Sequence, residues 1–119
     1  MTWTLPEPML TTPVSVPDLR PGSAAEPKWD GFRALASVDE GQVVLRSMRG
    51  TEMGPSFPNV AAAAVQLPDT TALDGEAVVY LADGEAGARI SFEAAQSRAL
   101  SNPSRARELA ARRPATYVT

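Results

Sequence analysis

Cysteine and histidine are both absent from the 119 residues of this chain. Without cysteine there are no disulfides and no thiolate metal sites. Without histidine there is no Ser-His-Asp triad, no histidine general base and no histidine-liganded zinc centre. Thiolate and histidine metal sites are therefore excluded, residue chemistry alone assigns no metal ligand, and any catalysis must use Lys, Arg, Asp, Glu, Ser, Thr or Tyr.

Long hydrophobic runs are also missing, since no apolar stretch approaches the roughly 18–20 residues that span a membrane. The opening "MTWTLPEPML" lacks the basic and continuous apolar regions of a secretory signal. These features predict a cytoplasmic protein with no membrane partner. The net charge of -3 differs from that of a free-standing DNA-binding module, which is usually basic. A hydrophobic content of 44% predicts a packed core.

Proline is abundant, and six of the eleven prolines fall within the first 27 residues. Prolines at this density prevent a regular helix and remove the donors of a β-ladder. We therefore predict two regions: a proline-rich N-terminal arm at 1–27, extended and packed through its apolar side chains, and a folded part at 28–119.

The hydrophobic pattern of the folded part predicts both strands and helices. Strands are predicted at 32–38, 43–48 and 72–81, with the start of another in "ATYVT". Helices are predicted from an N-cap at Ser56 to about Leu67, and at about 91–100 and 104–112. The fold class expected is α/β (α+β), with an antiparallel sheet packed against helices.

The stretch "EPKWDGFR", residues 26–33, places Lys28 between a proline and a tryptophan and just before an Asp-Gly pair. A lysine amine is a nucleophile only after losing its proton, which burial or neighbouring positive charge favours. Gly31 allows a tight turn and close approach to the backbone. From residue chemistry alone, a surface turn that opens a hairpin is the simpler reading of this stretch.

The wider pattern resembles the ATP-dependent DNA ligases. "EPKWDGFR" is similar to their Lys-x-Asp-Gly-x-Arg signature, which RNA ligases and mRNA capping enzymes share. "LRSMRGTEMGPSFPNV", 45–60, resembles the second motif, Ser-Arg-x-Gly followed by a Phe-Pro helix start. "LDGEAVVY", 73–80, resembles the third, a strand carrying Asp-Gly-Glu. The resemblance covers essentially the whole chain and points to the short ligases of high-GC bacteria.

The resemblance implies a partial nucleotidyltransferase (ATP-grasp-like) adenylation domain and assigns roles within it. Lys28 would attack the α-phosphate of ATP and hold AMP. Glu26 would contact the adenine edge, Arg33 the ribose side of the pocket, and Glu76 the ribose hydroxyls or a Mg²⁺ ion. Ser47 belongs to the same ATP-binding set. Supporting roles fall to Asp30, Gly31, Arg46, Arg49 and Asp74, with Asp74 and Glu76 expected on one face of their strand.

The chain also departs from the family pattern. Met48 stands where the second motif has arginine. The phosphate-gripping Lys-x-Lys element, the adenine-stacking aromatic and the oligonucleotide-binding barrel are not found in the chain, which we expect to be a fragment.

The family activity is nick sealing in DNA repair and recombination. The alternatives are an inactive remnant that at most binds nucleotide, and a related RNA ligase. Alone, the chain is expected to self-adenylate weakly or not at all, to seal no nick and to bind nicked DNA weakly; its oligomeric state is not predicted.

Overall fold

The computed structural model describes residues 6–82, 84 and 87–119. The strands are β1 (Phe32–Asp39), β2 (Gln42–Ser47), β3 (Thr71–Ala82), β4 (Ala88–Ile90) and β5 (Ala115–Val118). The helices are α1 (Pro58–Ala64), α2 (Phe92–Ala99) and α3 (Pro103–Arg112). None of the helices in these ranges is long and apolar enough to cross a membrane.

All strand pairs in the described residues are antiparallel, and the sheet order is β2-β1-β3-β4 with β5 also paired to β3. The β1–β2 hairpin turns at Glu40 and Gly41, both of which have positive φ. The long strand β3 is central, because β1, β4 and β5 all pair with it. An antiparallel sheet with three helices confirms the predicted α/β class.

The two faces of the sheet differ in what covers them. One face, here called the core face, presents alternate residues of β1 to β3 to the helices. Its buried members, with the helix and loop residues they contact, are Ala34, Ala36, Leu45, Met53, Phe57, Val60, Ala77, Val79, Ala95 and Ala115. Burying a side chain the size of Phe57 contributes roughly 2–3 kcal/mol. The opposite side of β1, β2 and β3 is here called the open face.

Helix α1 is shorter than predicted, and its predicted cap is wrong. It starts at Pro58 and ends at Ala64 instead of Leu67, and Phe57 occupies the N-cap position without a side-chain cap. The hydroxyl of Ser56 donates instead to the carbonyl of Ala99, 3.2 Å away. Because the Phe57 ring is fully buried, core packing sets this helix start and frees Ser56 for a contact with α2.

The other two helices begin as the sequence predicts. The Ser91 hydroxyl accepts from the backbone N–H of Ala94 at 3.1 Å, and Asn102 Oδ1 accepts from that of Arg105 at 2.8 Å. Pro103 occupies the first turn of α3, where its missing N–H costs no hydrogen bond. These caps satisfy donors that a helix start leaves free.

The apolar side chains described in the N-terminal arm are exposed, which contradicts the prediction that they pack. Residues 6–30 contain no helix or strand. The exposed apolar side chains, between 60% and 85% accessible, are Met9, Leu10, Val14, Val16 and Leu19. Trp3 and Leu5 lie outside the described residues. A further difference is β4, a strand that was not predicted and that pairs with Tyr80–Ala82 at the end of β3.

Tyr117 ties β5 to the centre of the sheet. Its hydroxyl lies 2.7 Å from the carbonyl oxygen of Ala34 and 3.2 Å from that of Leu73, so one proton serves two carbonyls of neighbouring strands. Burial raises the pKa of Tyr117 to about 12. The ring lies across the backbone of Gly75, where an added Cβ would sit 2.8 Å from Tyr117 Cζ.

Candidate active site

Three of the predicted site residues meet on the open face, because the strand register places them there. Arg33 on β1 lies directly opposite Glu76 on β3, and Leu35 lies opposite Asp74. Directly paired residues in an antiparallel ladder project from the same face. Asp74 and Glu76 therefore share the face of Arg33, which confirms the prediction that the two carboxylates lie on one side of their strand.

Arg33 is held by a two-point ion pair with Asp74. Nε donates to Oδ1 at 3.1 Å, and Nη2 donates to Oδ2 at 2.6 Å. These hydrogen bonds raise the pKa of Arg33 and lower the pKa of Asp74. A bidentate pair fixes the plane of the guanidinium as well as its position. Asp74 is thus a positioning partner for Arg33.

The N-terminal arm supplies a further contact to the same guanidinium. Nη1 of Arg33 donates to the backbone carbonyl of Met9 at 2.6 Å, and the Met48 sulfur lies 3.9 Å from the same nitrogen. An arginine has five N–H groups, so one N–H on Nη2 has no acceptor among the described residues. That donor is available to a ligand on the open face.

A cavity of about 460 Å³ lies between the arm and this ion pair. Residues 6–11 form one wall, and Arg33, Leu35 and Asp74 contribute to the other. The sequence predicted neither the arm's part in this cavity nor the pairing of Arg33 with Asp74. Strand alternation alone could not show that these two side chains share a face, because that also requires the register of β1 against β3.

Glu76 differs from Asp74 in having no partner for one of its oxygens. Oε2 of Glu76 is buried and makes no hydrogen bond with any residue that the structure describes. A buried polar atom without a partner is costly, and such an atom is a common sign of a missing ligand. A ribose hydroxyl or a divalent cation is the kind of group that would satisfy a carboxylate oxygen.

Lys28 and Glu26 are both exposed, in the segment that leads into β1. Neither makes a hydrogen bond or ion pair with Arg33, Asp74 or Glu76 in the described part of the chain, so their convergence on the open face stays a prediction. Asp30 is exposed as well. Gly31 lies so close to β3 that an added Cβ would be 2.7 Å from the Ala77 carbonyl oxygen. Close strand contact, and not a turn with positive φ, explains this glycine.

The residues of the second motif, at the end of β2 and in the loop that follows, make different contacts. The Ser47 hydroxyl accepts from the backbone N–H groups of Arg49 and Thr51 at 3.3 and 3.2 Å, so it stabilises the turn. Arg46 lies on the open face opposite Leu35, and its Nη1 donates to the Gly50 carbonyl at 3.2 Å. The exposed Met48 is the loop side chain that reaches Arg33.

Comparison with known proteins places this geometry in a family context. Residues 8–119 match the family model described as ATP dependent DNA ligase domain. DNA ligase C2 of Mycolicibacterium smegmatis is 41% identical over 112 residues, which is 93% of this chain and 30% of that protein. DNA ligase C of Mycobacterium tuberculosis is 39% identical over 105 residues, 87% of this chain and 28% of that protein.

A multifunctional non-homologous end joining protein LigD, from Mycobacterium bovis, is 43% identical over 79 residues, 65% of this chain and 10% of that protein. The chain thus spans less than a third of each of these relatives. The family model covers nearly all of the described residues, including the strands that carry Arg33, Asp74 and Glu76. The chain therefore belongs to the ATP dependent DNA ligase domain family.

Proposed function

We propose that residues 28–119 are the N-terminal portion of a DNA ligase adenylation domain, preceded by an arm at 1–27, and that Lys28 accepts AMP from ATP. The observation that carries this proposal is the shared open face of Arg33, Asp74 and Glu76. Arg33 lies on β1, which follows the Lys28 segment, and the two carboxylates lie on β3, which contains the third motif. In a family of ATP dependent ligases, such a face is suited to a nucleotide.

The proposed first step is the transfer of AMP to the Lys28 amine. The amine nitrogen attacks the α-phosphorus, a P–N bond forms, and the bond from that phosphorus to the bridging oxygen of pyrophosphate breaks. Pyrophosphate leaves with the bond electrons, and the nitrogen loses a proton. The exposed position of Lys28, in the segment that precedes β1, leaves room for in-line attack and departure.

The remaining site residues receive binding roles in this proposal. The free N–H of Arg33 would donate to a ribose oxygen, and Glu26 would accept from the exocyclic amine at the adenine edge. Arg46 and Arg49 would approach the phosphates. Ser47, Asp30 and Gly31 would act through the backbone: Ser47 by holding its turn, and Asp30 and Gly31 by setting the path from Lys28 into β1.

The residues also fit a magnesium ion, although they do not form a complete cage. No cluster of three or more Asp or Glu side chains that could hold a metal occurs within 6–82, 84 and 87–119. Magnesium in nucleotide sites usually takes one or two carboxylates together with phosphate oxygens. The unpartnered Oε2 of Glu76 would supply such a carboxylate. When bound, the ion would offset negative charge on the phosphates.

The proposal extends to the two later steps of sealing, with nicked DNA as substrate in repair and recombination and a cytoplasmic location where ATP and DNA both occur. AMP would pass from Lys28 to a 5′-phosphate, and a 3′-hydroxyl would then displace AMP. The DNA ligase and end joining names of the relatives support this choice of substrate.

Intact-mass measurement of the chain after incubation with ATP and magnesium tests the proposal. We expect the unmodified chain to form an AMP adduct slowly. The adduct should be lost in acid, because a P–N bond to lysine is acid-labile. The variants Lys28→Ala and Lys28→Arg should form no adduct. Since Lys28 is the chain's sole lysine, the adduct has one candidate amine. An unmodified mass in all three proteins would contradict the proposal and favour a remnant.

Met48→Arg should speed adduct formation by about tenfold to a hundredfold, because a charge-assisted hydrogen bond from position 48 to the nucleotide contributes roughly 1.5–3 kcal/mol. The Met48 sulfur already lies beside Arg33 on the open face. Without nucleotide, two adjacent guanidinium groups repel, so the gain requires the anion. Rates measured from the mass series should be unchanged in Met48→Leu. Equal rates in all three proteins would indicate that Arg46 or Arg49 already fills this role.

A further inference from the structure

A second cleft lies at the far end of β3, away from the Arg33–Asp74 ion pair. It has a volume of about 620 Å³ and is lined by the end of β3 and by the α3–β5 connection, including Tyr80, Arg112, Arg113 and Thr116. Tyr80 and Glu76 lie on the same face of one strand, four residues or roughly 13 Å apart. The cleft therefore borders the candidate nucleotide site without overlapping it.

The connection that carries the two arginines is rigidly anchored at its backbone. The N–H of Arg113 donates to the Leu109 carbonyl at 2.7 Å, and the carbonyl of Arg113 accepts from Nη2 of Arg98. Asn59 then donates to the Ala115 carbonyl at 2.7 Å. Arg98 is 2% exposed, so this anchor comes from within the core. A pre-organised loop loses little conformational entropy when it binds a ligand.

Charge in the chain is segregated toward this end. Although the net charge is -3, residues 98–119 contain five arginines and a single acidic residue, Glu108. That glutamate pairs with Arg105 at 3.1 Å. Arg112 and Arg113 are exposed and have no acidic partner among the described residues. Two uncompensated cations held on a fixed loop create a local positive potential.

The chemistry of the cleft matches a phosphodiester backbone. Arginine binds phosphate oxygens through a planar array of donors. Hydroxyl groups such as those of Tyr80 and Thr116 are also common donors to nucleic acid phosphates. We propose that Arg112 and Arg113, with Tyr80 and Thr116, dock the phosphate backbone of the DNA substrate beside the nucleotide site. The choice of DNA rests on the proposed function.

Binding of the chain to a fluorescent nicked duplex, followed by anisotropy between about 50 and 200 mM salt, tests this inference. The paired variant Arg112→Gln/Arg113→Gln should bind about tenfold more weakly at the low-salt end. The slope of the logarithm of its binding constant against the logarithm of the salt concentration should be shallower by roughly 1.8, the value for two phosphate contacts. Arg112→Lys/Arg113→Lys should retain the slope, because it keeps both charges.

The matched control is Arg105→Gln/Arg107→Gln, which removes the same charge from α3 at positions that do not line the cleft. An equal loss in both Gln pairs, or no loss in either, would overturn the inference. Stronger binding to an RNA duplex with the same arginine dependence would overturn the assignment to DNA. The assay contains no ATP, so DNA binding through these arginines by a chain that forms no AMP adduct would contradict the proposed function and leave this inference standing.

Discussion

Gly75→Ala is expected to lower the free energy of unfolding by about 3 kcal/mol, because the new methyl group has no space on the core face. An added Cβ would lie 2.8 and 3.0 Å from two ring carbons of Tyr117 and would also meet the Val118 carbonyl oxygen. Relief would require Tyr117 to move, which breaks its contacts with the Ala34 and Leu73 carbonyls. Urea unfolding of the purified chain measures the change.

Gly54→Ala is the matched control, since its added Cβ would meet nothing closer than 3.9 Å and its φ is not positive. It should change stability by no more than about 0.5 kcal/mol. Combining Gly75→Ala with Tyr117→Ala should cost less than the sum of the two changes, because removal of the ring relieves part of the clash. Equal costs at positions 75 and 54, or full additivity with Tyr117, would show that the ring does not require this glycine.

This steric role explains the Asp-Gly-Glu order of the third motif. Asp74 and Glu76 reach the open face, where one holds Arg33 and the other has a free oxygen. The residue between them must face the core, and there the ring of Tyr117 leaves room only for hydrogen. One tripeptide thus connects β5 packing to the candidate site, so damage at Gly75 should impair both.

The sequence predicted β1 and β2 well because their alternation reflects one buried and one more exposed face, and it predicted β3, which is buried on both faces from Ala77 to Val79, from its run of β-forming residues. It also predicted the starts of α2 and α3, whose caps are local hydrogen bonds. It placed the start of α1 wrongly, since burial of the Phe57 ring overrides the local preference of Ser56 for a cap. The three-residue β4 was missed because its pairing with β3 is a tertiary contact with little local signal.

In the candidate site too, local sequence patterns predicted some features, whereas tertiary contacts set others that the sequence could not show. Motif resemblance assigned roles to Lys28, Arg33 and Glu76, which stay predictions, and alternation correctly put Asp74 and Glu76 on one face. The ion pair between Arg33 and Asp74 spans 41 positions in sequence and depends on strand register. The Met9 carbonyl contact was inaccessible to sequence reasoning, because a backbone acceptor in an irregular arm has no residue signature. The sequence shows that Arg112 and Arg113 are adjacent, whereas only the fold places them in one cleft with Tyr80 and Thr116.

The 119-residue chain alone is expected to leave a nicked duplex unsealed. Adenylation, AMP transfer and attack by the 3′-hydroxyl each develop charge on phosphate oxygens that several cations or a metal must offset. The chain has one lysine, Lys28, which is itself the proposed nucleophile, and Arg33 is engaged by Asp74. The chain also spans only 30% of the length of DNA ligase C2.

Docking of DNA at Arg112 and Arg113 does not change this expectation, because those arginines lie beside the nucleotide site and bind the backbone without reaching the reacting phosphate. The measurement is conversion of a labelled nicked strand to full length in ATP and magnesium, with Lys28→Ala run in parallel. Unjoined product in both reactions is the expected result, even where the unmodified chain forms its AMP adduct. Joining by the unmodified chain and not by Lys28→Ala would contradict the prediction, since it would mean that the arginines of this segment stabilise all three transition states.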